Sequence, residues 1–183
     1  MNVLPNLLIL LAALLVVFGQ SAFTGLRQLL GTQVDLLPAL MVYTALSAGP
    51  FMMLALAVAG GLFFDTLSAN PLGTSVLPLL TVGFLIQLRR DLLLREQAYA
   101  QFVLGLIASA VAPVISVLIL LTLGKSPLLG WGSLWQWVVM SVGGGVATPM
   151  MFFLFGWFNH ALGYQRVTET SFRADREIRR GRN

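Results

Sequence analysis

Cysteine is absent and histidine occurs once. No disulfide, thiolate nucleophile or cysteine metal site can be built from such a chain, and a two-histidine metal motif is excluded with them. Charge is scarce too: 10% of residues are Asp, Glu, Lys or Arg, against roughly 25% in soluble globular domains. No serine stands in a nucleophile-elbow pattern, and Gly143-Gly144-Gly145 lies inside an apolar run rather than in a phosphate-cradling loop. The catalytic set is therefore empty, no cofactor is implied, and the expectation is a protein that is not an enzyme.

What is present is apolar surface. Of the 183 residues 57% are apolar and the mean hydropathy is +0.86, the composition of a polytopic, all-α integral membrane protein. A spanning helix needs roughly 20 mostly apolar residues, and Leu4 to Phe23 supplies the first. With no basic residue ahead of it, this run reads as a retained span rather than a cleaved signal. Leu36 to Ala48 is short and carries Pro38, so it reads as a tilted span or a half-helix. Gly49-Pro50 ends it, because proline removes a helical donor and disfavours helix in the residue before it. Phe51 to Leu67, Ser75 to Leu88, Phe102 to Leu123 (with Pro113) and Leu134 to Phe158 (with Pro149) complete a bundle of about six helices over residues 1–163. Residues 164–183 form a basic tail. From Gly163 onward six arginines face three acids, which places three of the four net positive charges there.

Topology follows from the arginines. Arg89, Arg90 and Arg95, and the tail residues Arg173, Arg176, Arg179 and Arg180, all belong on the cytoplasmic side by the positive-inside rule. Two spans separate the two groups, which agrees. Lys125 and the turn between Asp65 and Gly73 then face outward. Trp131, Trp135 and Trp137 fit an outer aromatic belt and Trp157 an inner one. Small residues four apart (Gly105 and Ser109, Ala108 and Ala112, Gly144 and Thr148) predict close helix packing without naming the partner. The tail offers only Tyr164 and Phe172 for base stacking, so nucleic acid is not an expected ligand. It can lie on the inner leaflet, meet a cytoplasmic partner or stay solvated.

Asp65 is the residue that most needs an explanation. A carboxylate near the end of a membrane-length run is costly without a partner or water. A paired site would draw on Asp35, the other acid beside an apolar segment. Two other readings stay open: a partner-docking position, and a turn stabilised through Thr66, Ser68 or Asn70. Asn70-Pro71-Leu72-Gly73 is turn chemistry in itself. His160, at the end of the last run, suits the negative pole of a helix C-terminus and reads as structural.

The stretch Gly61-Leu62-Phe63-Phe64-Asp65-Thr66-Leu67-Ser68-Ala69-Asn70-Pro71-Leu72-Gly73, following Gly60, resembles the signature of the MreD family of rod shape-determining membrane proteins. Asp35-Leu36-Leu37, Val42-Tyr43, Gly49-Pro50 and Val82-Gly83-Phe84 agree, so the resemblance covers most of the chain to about Arg90. Phe63-Phe64 departs from it, since smaller aliphatic residues are usual there. The resemblance implies a non-enzymatic scaffold in the bacterial inner membrane, with its C-terminus cytoplasmic. The implied partners are the bitopic protein MreC, the RodA glycosyltransferase with its penicillin-binding transpeptidase, and indirectly the MreB filament. Self-association and contact with membrane lipid stay open. The resemblance also implies a fold similar to the substrate-binding subunits of energy-coupling-factor vitamin transporters. No catalytic residue comes with it. On that reading Asp65→Ala impairs assembly more than insertion. The alternative is a small-molecule-binding transport subunit, whose pocket would draw on Asp35, Tyr43, Asp65, Asn70 and Gln87.

Overall fold

The computed structural model describes residues 3–22, 31–32, 34–68, 71–89, 97–124 and 130–161. Among them the chain is all helical, with no strand. The helices are α1 (Val3–Ala22), α2 (Leu37–Ser47), α3 (Pro50–Leu67), α4 (Val76–Leu88), α5 (Ala98–Thr122) and α6 (Trp131–Ala161). Three of them, α3, α5 and α6, are long and apolar enough to cross a membrane.

The bundle is built around its shortest helix. Ten of the eleven residues of α2, Leu37 through Leu46, are buried, and α2 touches each of the other five helices. Its sequence explains why. Leu-Pro-Ala-Leu-Met-Val-Tyr-Thr-Ala-Leu is apolar all round, the pattern of a fully enclosed helix rather than a surface one. The buried hydroxyl of Thr44 donates to the Leu40 carbonyl at 2.9 Å and so is satisfied within the helix. Eleven residues rise about 16 Å, about half a bilayer core. Of the two readings of this run, the structure favours an enclosed half-length helix.

Both ends of α2 are set by local chemistry. Asp35 Oδ1 accepts the Leu37 N–H at 2.9 Å, and Pro38 sits in the first turn, where its missing donor costs nothing. At the other end Ala48 N–H still reaches the Thr44 carbonyl at 2.8 Å. Gly49 then turns extended and Pro50 opens α3. The Gly49-Pro50 break is thus a corner between two helices with almost no loop.

Packing around α2 uses small residues at the crossings. Gly83 of α4 lies where Met41 and Met53 converge; a Cβ there would fall 2.9 Å from Met41 Sδ and from Met53 Cγ. Tyr43 stacks on Phe155 (4.4 Å between centroids, 14° between planes) and meets Phe152 edge-on at 5.0 Å. The small residues of α5 and α6 face one another: Gly105 lies against Thr148 and the Gly144 carbonyl, and Gly144 lies against Ser109. The partner that the spacing left unnamed is the next helix in the chain. On α1, Ile9, Ala13 and Val17 form a buried stripe, while Leu7, Leu11, Leu14, Leu15 and Phe18 are exposed. So broad an apolar outer surface marks a face for lipid or for another protein.

Candidate functional site

The motif stretch folds as a corner between α3 and α4. Gly60 and Gly61 are buried on the last turns of α3. Gly60 faces Leu37 at ordinary contact distance, whereas a Cβ on Gly61 would lie 3.0 Å from the Val76 backbone. Glycine at 61 therefore lets α3 and the first residue of α4 touch. Beyond α3, Pro71 to Thr74 makes a turn, with the Thr74 N–H donating to the Pro71 carbonyl at 3.2 Å and the Thr74 hydroxyl to the same carbonyl at 2.7 Å. Gly73 takes φ +91° in the third position of that turn, a conformation side chains resist.

Asp65 holds this corner together. Its side chain is 2% exposed. The carboxylate accepts the Gly73 N–H at 2.8 Å, the Ser75 N–H at 3.2 and 3.3 Å, and the Ser75 hydroxyl at 2.5 Å. Ser75 precedes α4 and supplies no side-chain cap of its own. A carboxylate from α3 thus sits at the N-terminus of α4, where the helix dipole favours negative charge. The turn-stabilising reading of Asp65 is the one this geometry supports, with different donors from those expected. The Thr66 hydroxyl turns back to the Phe63 carbonyl. The Ser68 hydroxyl reaches the Asp65 backbone carbonyl at 3.5 Å rather than its carboxylate. Asn70 lies outside the described residues.

Asp35 does not join Asp65 in a shared pair. It is half-buried in the link before α2 and borders a hollow of about 310 Å³. That hollow lies where α2, α4 and α6 begin and where α3 and α5 end. Ser68, Ser75, Ser116 and Gln136 line it together with apolar side chains. Burial raises the Asp35 carboxyl from 3.8 to about 6, opposed by the bond from Leu37. The native state therefore holds more proton than the unfolded chain between those values, and the Asp35 contribution to stability falls as pH rises through them. The melting temperature of the wild type, minus that of Asp35→Asn, should accordingly drop from about pH 4 to about pH 6.5 and then level off. A difference independent of pH would mean that Asp35 carries no burial penalty.

Among the described residues, the polar groups named for a transport pocket do not converge. Tyr43 is buried between aromatic rings, Asp65 is tied to the corner, and Gln87 sits at the far end of α4. Serines 68, 75 and 116 and Gln136 meet Asp35 instead. Single hydroxyls and one amide in apolar helices gave no signal in the sequence; only the packing of five helices gathers them. Arg89 caps α4 at the end opposite Asp65 and is exposed. Arg90, Arg95, Arg173, Arg176, Arg179 and Arg180 lie outside the described residues. No group of three or more metal-ligating side chains occurs among the described residues. Comparison of the chain with protein-family models, with curated proteins and with solved structures finds no match.

Proposed function

We propose that this chain is a non-enzymatic scaffold of the bacterial cell-elongation machinery, embedded in the inner membrane as a bundle of about six helices with its basic tail in the cytoplasm. It acts beside an MreC-type single-span protein and, through it, the RodA glycosyltransferase, its penicillin-binding transpeptidase and MreB. Support comes from the motif resemblance, from the three helices long enough to cross a membrane and from the way the motif is used. One observation carries the reading. Asp65, Gly60 and Gly61 of the motif are buried in the corner, while Leu72 and Leu67 at its tip are 70% and 48% exposed. Apolar side chains at the tip of a helix corner are a surface for another protein.

Leu67→Glu/Leu72→Glu should leave the melting temperature unchanged in detergent and lower recovery of co-expressed MreC at least tenfold, the scale of a lost interface anchor of about 1.4 kcal/mol or more. Full recovery of MreC with the double variant, or no recovery with the wild type, counts against the scaffold reading.

A further inference from the structure

The hollow beside Asp35 has an uncommon hydrogen-bonding character. Each serine on its wall has already given its only proton inward: Ser75 to the Asp65 carboxylate at 2.5 Å, Ser116 to the Ala112 carbonyl at 3.1 Å and Ser68 to the Asp65 carbonyl at 3.5 Å. What each retains is acceptor lone pairs. One oxygen of Asp35 takes the Leu37 N–H. Among the described residues Asp35 is the one ionisable side chain on the wall and none that lines the hollow is cationic. Apart from the Gln136 amide, the polar groups that these residues present are acceptors.

The hollow also has an apolar annexe. A second cavity, of about 720 Å³, lies between the outer halves of α5 and α6, and Pro113, Val117, Gln136 and Met140 border both. Its other walls include Val114, Leu118, Leu134 and Trp137, all exposed on the lipid-like surface of the bundle. The opening has a local cause. The two helices are in contact at Gly105 and Gly144, and further along α5 Pro113 lies inside the continuous helix, where it removes one backbone donor. The Ala110 carbonyl, in the turn before the proline, accepts the Trp137 indole N–H at 2.9 Å, which fixes the annexe's aromatic wall.

We propose that the two cavities form one site for an ammonium-bearing membrane amphiphile, with the ammonium against Asp35 and the serine oxygens and the acyl part along Val114, Leu118, Leu134 and Trp137. An ammonium offers three donors and no acceptor, the complement of this wall. A phosphate in the same place would face a carboxylate in a poorly screened environment. A purely apolar occupant would bring no donor to the Asp35 carboxylate or to the serine oxygens. The site is independent of the scaffold reading.

The test uses the full chain, purified from nanodiscs of equal parts phosphatidylethanolamine and phosphatidylglycerol and examined by native mass spectrometry. The wild type should retain phosphatidylethanolamine at least tenfold over phosphatidylglycerol. Asp35→Asn keeps an acceptor for Leu37 and so should fold, while the preference falls to parity. Ser116→Ala, which removes one lone-pair donor to the ligand, should lower it several-fold and serves if the first variant fails to fold. Equal retention by the wild type, or a preference that both variants keep, overturns the proposal. Stabilisation by millimolar soluble ethanolamine with no lipid retained would overturn it in favour of a small soluble amine. Stabilisation by sodium alone would overturn it in favour of an inorganic cation.

Discussion

Asp65→Ala is expected to lower the stability of the solubilised protein by about 3 kcal/mol, because a single carboxylate satisfies three donors at the α3–α4 corner. Each buried donor left without an acceptor costs about 1–3 kcal/mol. Ser75 is only half-buried and recovers part of that from water, so the total stays at the low end of the sum for three donors. The loss does not stop at the turn. Ser75 leads into α4 without a cap of its own, and α4 packs against both α2 and α3. Asp65→Asn keeps one carbonyl acceptor but aims an amide at backbone N–H groups, so it should fall between alanine and the wild type. Thermal or denaturant unfolding in one detergent measures both. If Asp65→Ala unfolds together with the wild type, the clasp contributes nothing. The geometry also reverses the order of effects expected from the motif alone. A side chain 2% exposed cannot be a contact for a partner, so any loss of assembly should follow the loss of fold.

The second large effect lies between α5 and α6. Gly105→Leu should destabilise the bundle by about 3 kcal/mol or more, above the usual overpacking range, because backbone as well as side chain blocks the site. A Cβ at 105 would fall 2.6 Å from the Gly144 carbonyl oxygen and would overlap Thr148 Oγ1. A side chain can rotate away; a helix backbone can yield only by separating the two helices. Gly156→Ala in the facing helix α6 is the control. A Cβ there meets nothing within 4 Å, and removing a helical glycine should be neutral or stabilise by about 0.5–1 kcal/mol. Parallel melts of the two variants decide the matter. Equal melting temperatures would mean that α5 and α6 do not depend on close approach.

Several features were legible in the residues. Helix class followed from apolar run length and scarce charge, since long uniformly apolar runs suit helices and not the alternating strands of a closed barrel. The punctuation was legible as well: Gly49-Pro50 and the Pro71–Gly73 turn are local backbone chemistry, set by missing donors and permitted φ values. Asp65 stood out because a carboxylate in an apolar run needs a partner. The identity of that partner was not legible, since Gly73 and Ser75 are eight and ten residues away and bond through backbone as well as side chain.

Tertiary structure alone decided the rest. The run from Leu36 to Ala48, short and carrying proline, read as a tilted span or a half-helix, yet it is the centre of the bundle. A helix enclosed on all sides has no amphipathic period to announce it. Gly105 and Gly144 announced a close approach by their spacing, but only the fold matched them with each other, because small residues state how near a neighbour can come and not which one it is. The acceptor-lined hollow had no signature in the chain, since it arises from hydroxyls on separate helices that spend their protons inward. Composition and local chemistry determined which segments are helical, where they break and which acid needs satisfying. Three-dimensional packing determined what lies at the centre, which atoms satisfy that acid and where a cavity remains, because each of these depends on distances between residues far apart in the chain.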